Sequence, residues 1–200
     1  MDYQIKLLTV VAIINILFSL FVIKQERSQT NILFSLFTLF IGLWSFGVGF
    51  FIYTSNQEFA LVSANLFYLA PPLIVTIFFY FSIIFVGATL KSKHYLYLLP
   101  FLILSSLLIL DPYFLLRDVY AIDYGIHKDV VINRSHYIFY SIYVVGYIIA
   151  SYIVLFRAKS SSALLGRERQ LNVIIIGTLI SYVFAAIFNL LLPYLGNYQL

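Results

Sequence analysis

Hydrophobic residues in this chain come in runs too long for a strand and too continuous for a one-faced helix, separated by short polar breaks. A helix needs about 20 mainly apolar residues to cross the hydrocarbon core of a bilayer. Six runs meet or approach that length, at about residues 5–23, 32–53, 59–90, 95–110, 137–156 and 171–192. The third is long enough to tilt or kink, and the fourth is short. The predicted fold is an all-α integral membrane bundle of six transmembrane helices, forming a single domain over residues 1–200. The first run does not read as a signal peptide. Its apolar stretch is too long, and no small-residue cleavage site precedes Lys24.

The breaks between runs are informative in their own right. Lys24–Thr30 is short and charged, and Thr30 or Asn31 is placed to cap the second helix. Thr54–Gln57 predicts a tight turn, and Lys159–Gly166 a small flexible loop. The fourth break, Asp111–Ser135, is longer. It holds two β-favouring runs, Val119–Ile122 and Val130–Ile132, around a turn containing Gly125. That pattern predicts a β-hairpin between spans four and five. It is either a small lid over the outer end of the bundle or a plain loop.

Composition agrees with lipid as the solvent. Of 200 residues, 62% are apolar and 10% charged, against about 25% charged in a soluble domain. The net charge of +4 does not mark nucleic-acid binding, because the twelve Lys and Arg are scattered between the apolar runs. Their placement sets a topology instead. Lys24, Arg27, Lys91, Lys93, Arg157, Lys159, Arg167 and Arg169 fall in the first, third and fifth breaks, while Lys6, Arg117, Lys128 and Arg134 fall on the other side. Lys and Arg are retained in the cytoplasm. The prediction is a multi-pass protein of the cytoplasmic (inner) membrane, with its amino terminus outside and loops one, three and five inside. Six spans then return Leu200 to the outside just after Pro193, an ending that reads as that of a fragment.

Catalytic signatures are missing from the sequence. His94, His127 and His136 lie at loops or span ends without ligand spacing, no Asp or Glu lies within a span, and there is no cysteine. No metal site, cofactor or catalytic residue is expected, so the chain by itself does not read as an enzyme. The spans instead carry uncharged polar and small residues. Asn65, Tyr68, Pro72, Thr76 and Tyr80 share a face of about 120° on the third helix at 100° per residue. Pro71 and Pro72 remove backbone donors there, so the freed carbonyls need partners or line a cavity. Tyr140, Tyr143, Tyr147 and Ser151 share a face on the fifth. Both faces read either as walls of a ligand pocket or as ordinary packing, with the outer tyrosines in the interfacial belt. Gly146 and Ala150 on the fifth helix, and Gly177, Ser181 and Ala185 on the sixth, have the four-residue spacing that permits close helix packing. Asn15 and Asn189 are candidates for hydrogen bonds between helices.

Several of these pieces occur together in a known order. They are Asn31 opening the second span, Trp44-Ser-Phe-Gly47 within it, Ala70-Pro71-Pro72 in the third and Pro100 in the fourth. Gly166-Arg-Glu-Arg-Gln170 follows before the sixth span, then Asn189-Leu-Leu-Leu-Pro193 at its end. In this order the chain resembles the amino-terminal seven-helix sensor region of bacterial histidine kinases, over nearly its whole length. The resemblance implies a membrane sensor for two-component signal transduction. Such a sensor has an outside amino terminus, and a seventh span feeds a cytoplasmic output module. Here the seventh span and the output are lacking. A homodimer of the full-length protein is likewise implied by the resemblance. The expected partners are the lipid bilayer and a small-molecule signal of unknown identity, with no nucleic acid. The expected mechanism is a small apolar or amphipathic signal touching the polar face of the third helix and the tyrosine face of the fifth. A small transporter or channel subunit is the alternative from a different class.

Overall fold

The computed structural model describes residues 2–25, 27–90, 92–111, 113–122, 127–159 and 168–195. Long helices dominate it: α1 (Asp2–Gln25), α2 (Gln29–Tyr53), α3 (Gln57–Phe85), α6 (Arg134–Lys159) and α7 (Glu168–Ala186). These five are long and apolar enough to cross a membrane, α7 together with the turn that extends it to Leu191. Between α3 and α6 lie α4 (Ser92–Tyr95), a 3-10 turn (Leu96–Leu98), α5 (Leu99–Leu110), β1 (Leu116–Ile122) and β2 (His127–Ile132). After α7 come a π-helical turn (Ile187–Leu191) and α8 (Leu192–Tyr194). Leu7, Ile14, Leu17 and Phe21 on α1, and Val173, Ile180 and Phe184 on α7, point outward and exposed. Water would not tolerate apolar faces of this extent, and lipid requires them. The chain is a multi-pass membrane protein.

The helix ends follow from local chemistry. Ser28, not Thr30 or Asn31, caps α2, its hydroxyl accepting the Asn31 N–H at 3.2 Å. Asn56 caps α3 by accepting the N–H groups of Glu58 and Phe59 at 2.9 and 3.1 Å. The third run was expected to continue to residue 90, but its helix stops at Phe85. Gly87 adopts φ +81, and its N–H reaches the Ile84 carbonyl while that of Ala88 reaches Ile83. This paired closure needs a left-handed residue, which glycine supplies without strain. The fourth run, expected over 95–110, is helical but shorter than the five long spans. Pro100 stands at the start of α5, and the apolar helical stretch there covers only Leu96–Leu110.

The strands β1 and β2 pair antiparallel, from Leu116 opposite Ile132 to Ile122 opposite His127, with an irregularity between Leu116 and Asp118. The expected turn around Gly125 lies outside the described residues. Leu115, Leu116, Val119, Val130 and Ile132 are buried and pack with Phe51, Ala60, Ala64, Tyr137 and Tyr140. The strand pair therefore sits on the bundle end where α2 finishes and α3 and α6 begin. Asp118 adds a tie to α3, accepting from Gln57 Nε2 at 3.1 Å.

The tightest helix contact is between α1 and α2. A Cβ on Gly42 would come within 3.0 Å of both the Ala12 carbonyl oxygen and Ile16 Cγ1. About two turns further along α2, Ser19 Oγ lies 2.8 Å from the Ser35 carbonyl oxygen, and Ser35 Oγ lies 2.9 Å from that of Ser19. Buried Ser35, Thr38, Gly42, Ser45 and Gly49 on α2 repeat at alternating three and four residues, the seam of a close antiparallel pair. The close approach expected at Gly146 and Gly177 is not found. A Cβ on either would meet nothing within 4 Å. Asn15 turns back onto its own helix. Its amide donates to the Val11 carbonyl of its own helix at 2.9 Å.

Candidate functional site

Proline fixes the chemistry at the centre of the bundle. A proline has no N–H, so the carbonyl four residues before it loses its helical partner. In a lipid-facing core such a carbonyl must find another donor. Helix α3 runs without interruption through Pro71 and Pro72, and Pro72 leaves the Tyr68 carbonyl open. Tyr140 of α6 fills the gap, donating its hydroxyl proton to that oxygen at 2.9 Å.

The same solution appears twice more on the same face of α6. Pro193 frees the carbonyl of Asn189, in the middle of the π-helical turn, and Tyr137 donates its hydroxyl to it at 2.5 Å. Pro100, in the first turn of α5 just after the 3-10 turn, offers no N–H to the Tyr97 carbonyl three residues back, and the Tyr147 hydroxyl donates there. Tyr137, Tyr140 and Tyr147 fall within about 80° of arc at 100° per residue. One helix face thus completes the backbone of three separate segments.

Of the residues proposed from sequence, most pair with one another. Thr76 Oγ1 lies 2.7 Å from the Pro72 carbonyl oxygen and 2.5 Å from the Tyr143 hydroxyl. Tyr80 donates to the His94 carbonyl at 2.6 Å, tying α3 to α4. Asn65 donates from Nδ2 to Leu61 O at 3.1 Å within α3. The polar face of α3 and the tyrosine face of α6 are therefore two halves of one hydrogen-bonded seam. Asn65, Pro72, Thr76, Tyr80, Tyr143 and Tyr147 do not line the cavity that lies between α2, α3, α6 and α7, whereas Tyr68 and Tyr140 do.

That cavity, of about 430 Å³, lies between α2, α3, α6 and α7. Trp44 and Phe37 form its α2 wall, Phe78 and Tyr68 its α3 wall, and Thr178 and Tyr182 part of its α7 wall. The rings interlock: Phe37 and Phe78 have centroids 5.4 Å apart, as do Phe78 and Tyr182. Gly177, Ser181 and Ala185, expected to pack against a neighbouring helix, also line it. Sequence reasoning missed the aromatic wall, because Phe34, Phe37, Trp44 and Phe78 look like any other apolar residues of a span. Among the described residues no group of three metal-ligating side chains is gathered.

A family model for the N-terminal 7TM region of histidine kinase matches residues 7–199. The chain belongs to that family. No curated protein matches it, and neither does any solved structure. In histidine kinases the 7TM region is a sensor domain, not the catalytic one.

Proposed function

We propose that this chain is the signal-receiving membrane region of a histidine kinase and that the central cavity receives a small ligand. The observation that carries the reading is that Tyr68 and Tyr140 belong to two structures at once. They line the cavity, and their hydrogen bond holds the backbone at Pro72. An occupant of the cavity thus touches the weakest point of α3 directly. A ligand shifts a conformational equilibrium only by its differential affinity for the two states. The two states proposed here differ in whether α6 closes the carbonyls freed by proline.

In this reading the amino terminus is outside and the strand pair covers the extracytoplasmic end. Leu96–Leu110, with α4 ahead of it, completes a sixth crossing of the inner membrane. The kinase output lies elsewhere in the polypeptide, which acts as a homodimer. A transporter or channel is the weaker reading, because no charged side chain among the described residues lines the cavity.

The test uses the kinase that carries this region. Tyr140→Phe and Pro72→Ala are each expected to change basal autophosphorylation by about threefold or more. Unaltered output in both variants, with normal membrane levels, would reject the proposed relay.

A further inference from the structure

We propose that the cavity is specific for a neutral, carbon-rich molecule with a single hydrogen-bond-accepting oxygen, of the aromatic ketone type, and that Tyr182 donates to that oxygen. This rests on the signal-receiving reading above and names the ligand class of the same site.

Charge is the first argument. Among the described residues no Asp, Glu, Lys, Arg or His lines the cavity. An ionised ligand would give up its hydration with nothing to replace it. Size is the second. A cavity of about 430 Å³ falls within the range of pockets that enclose small organic ligands, about 300–1,000 Å³. Its aromatic walls suit a flat molecule, since ring edges and faces pack favourably at these separations.

The third argument is a buried hydroxyl without a use. Among the hydroxyls of the wall, Tyr140 donates to Tyr68 O, Thr178 to Ile174 O at 2.6 Å and Ser181 to Gly177 O at 3.0 Å. The Tyr182 hydroxyl is buried and has no hydrogen-bond partner among the described residues. Nearby Tyr152 does not serve it, because the Tyr152 hydroxyl is paired with Thr178 Oγ1 at 2.8 Å. The ring of Tyr182 is held against Phe78 and Tyr152, with centroids 5.4 and 6.4 Å away. A buried donor that stays unpaired is costly, and an acceptor brought by a ligand removes that cost.

Three probes of one shape separate these arguments: benzophenone, diphenylmethane, which lacks the oxygen, and 4-benzoylbenzoate, which adds a charge. The chain is placed singly in lipid nanodiscs, benzophenone is photoactivated, and insertion sites are mapped by mass spectrometry. Insertion is expected at least tenfold more on cavity residues of α2, α3 and α7 than on the outward residues of α1. Diphenylmethane should compete about fivefold less well than unactivated benzophenone, the loss of one neutral hydrogen bond. The charged probe should not compete. Tyr182→Phe should weaken capture by about the same fivefold, with unchanged emission from Trp44, the chain's one tryptophan. Equal insertion into α1 would mean lipid partitioning only and would overturn the proposal. Equal competition by diphenylmethane in the native chain would overturn it as well, whether or not the variant folds. Capture that disappears with two copies per disc would mean that a second copy covers the cavity, and would overturn the proposal. None of these failures touches the autophosphorylation test above, so the ligand class and the sensing role stand or fall separately.

Discussion

Tyr140 and Tyr68 are 72 residues apart in sequence, yet the hydroxyl of one replaces the helical N–H that the other's carbonyl lacks. The missing donor is position 72, a proline. This relationship makes a specific double-mutant cycle decisive. Tyr140→Phe alone should destabilise the bundle by about 1–2 kcal/mol, since it strands a buried carbonyl. In a Pro72→Ala background the helical N–H is restored, and the same change should cost only a few tenths of a kcal/mol. Thermal unfolding in detergent measures both arms. Equal costs in the two backgrounds would mean that the bond does not compensate for the proline.

Gly42 separates real close packing from a sequence pattern. Gly42→Ala forces a methyl group to within 3.0 Å of the Ala12 carbonyl and of Ile16. A loss of about 1–3 kcal/mol is expected, the usual range for overpacking. Gly146→Ala and Gly177→Ala meet open space and should be neutral or stabilising by up to about 1 kcal/mol, as helix propensity favours alanine. Melting temperatures of the three variants decide the matter.

The sequence made the spans legible because apolar length is a one-dimensional property. Polar faces on α3 and α6 were equally readable, since 100° per residue places Thr76 and Tyr143 without any tertiary knowledge. It could not say that these faces meet each other. That depends on how the helices are arranged, and nothing in the local pattern around Tyr140 names Pro72 as its counterpart. Small-residue spacing misled at Gly177 for a related reason. The motif permits close approach but does not say which face has a neighbour, and the α2 stripe from Ser35 to Gly49 was overlooked although its spacing is as regular. The end of α3 was misjudged because hydrophobicity continues to Leu90, while the chain turns at Gly87 on backbone grounds alone.

Tyr80 and Tyr147 fasten the region around α4 by its carbonyls at His94 and Tyr97. Replacing both with Phe should leave the long helices in place and raise amide exchange in residues 94–99 by about tenfold. Hydrogen exchange with peptide mapping reads the effect. Equal exchange before and after would show that the segment is held by its apolar contacts instead.

The proposed orientation is open to a clean labelling test, because the native chain has no cysteine. Single cysteines at Lys24 and Arg157 should react with an impermeant maleimide only in inverted vesicles. Cysteines at Asn56 and Tyr113 should react in intact cells. The opposite pattern would invert the bundle and move the strand pair to the cytoplasm.

The three tyrosine bonds of α6 also bear on how gradual a response of this bundle can be. They leave one side of a single rod and end on α3, on the 3-10 turn before α5 and on the turn after α7. Twisting that rod by even a fraction of a residue misaligns all three donors together, while sliding α3 alone disturbs only one. Axial rotation of α6 is therefore a motion with an all-or-none character, and small strains perpendicular to it are absorbed locally.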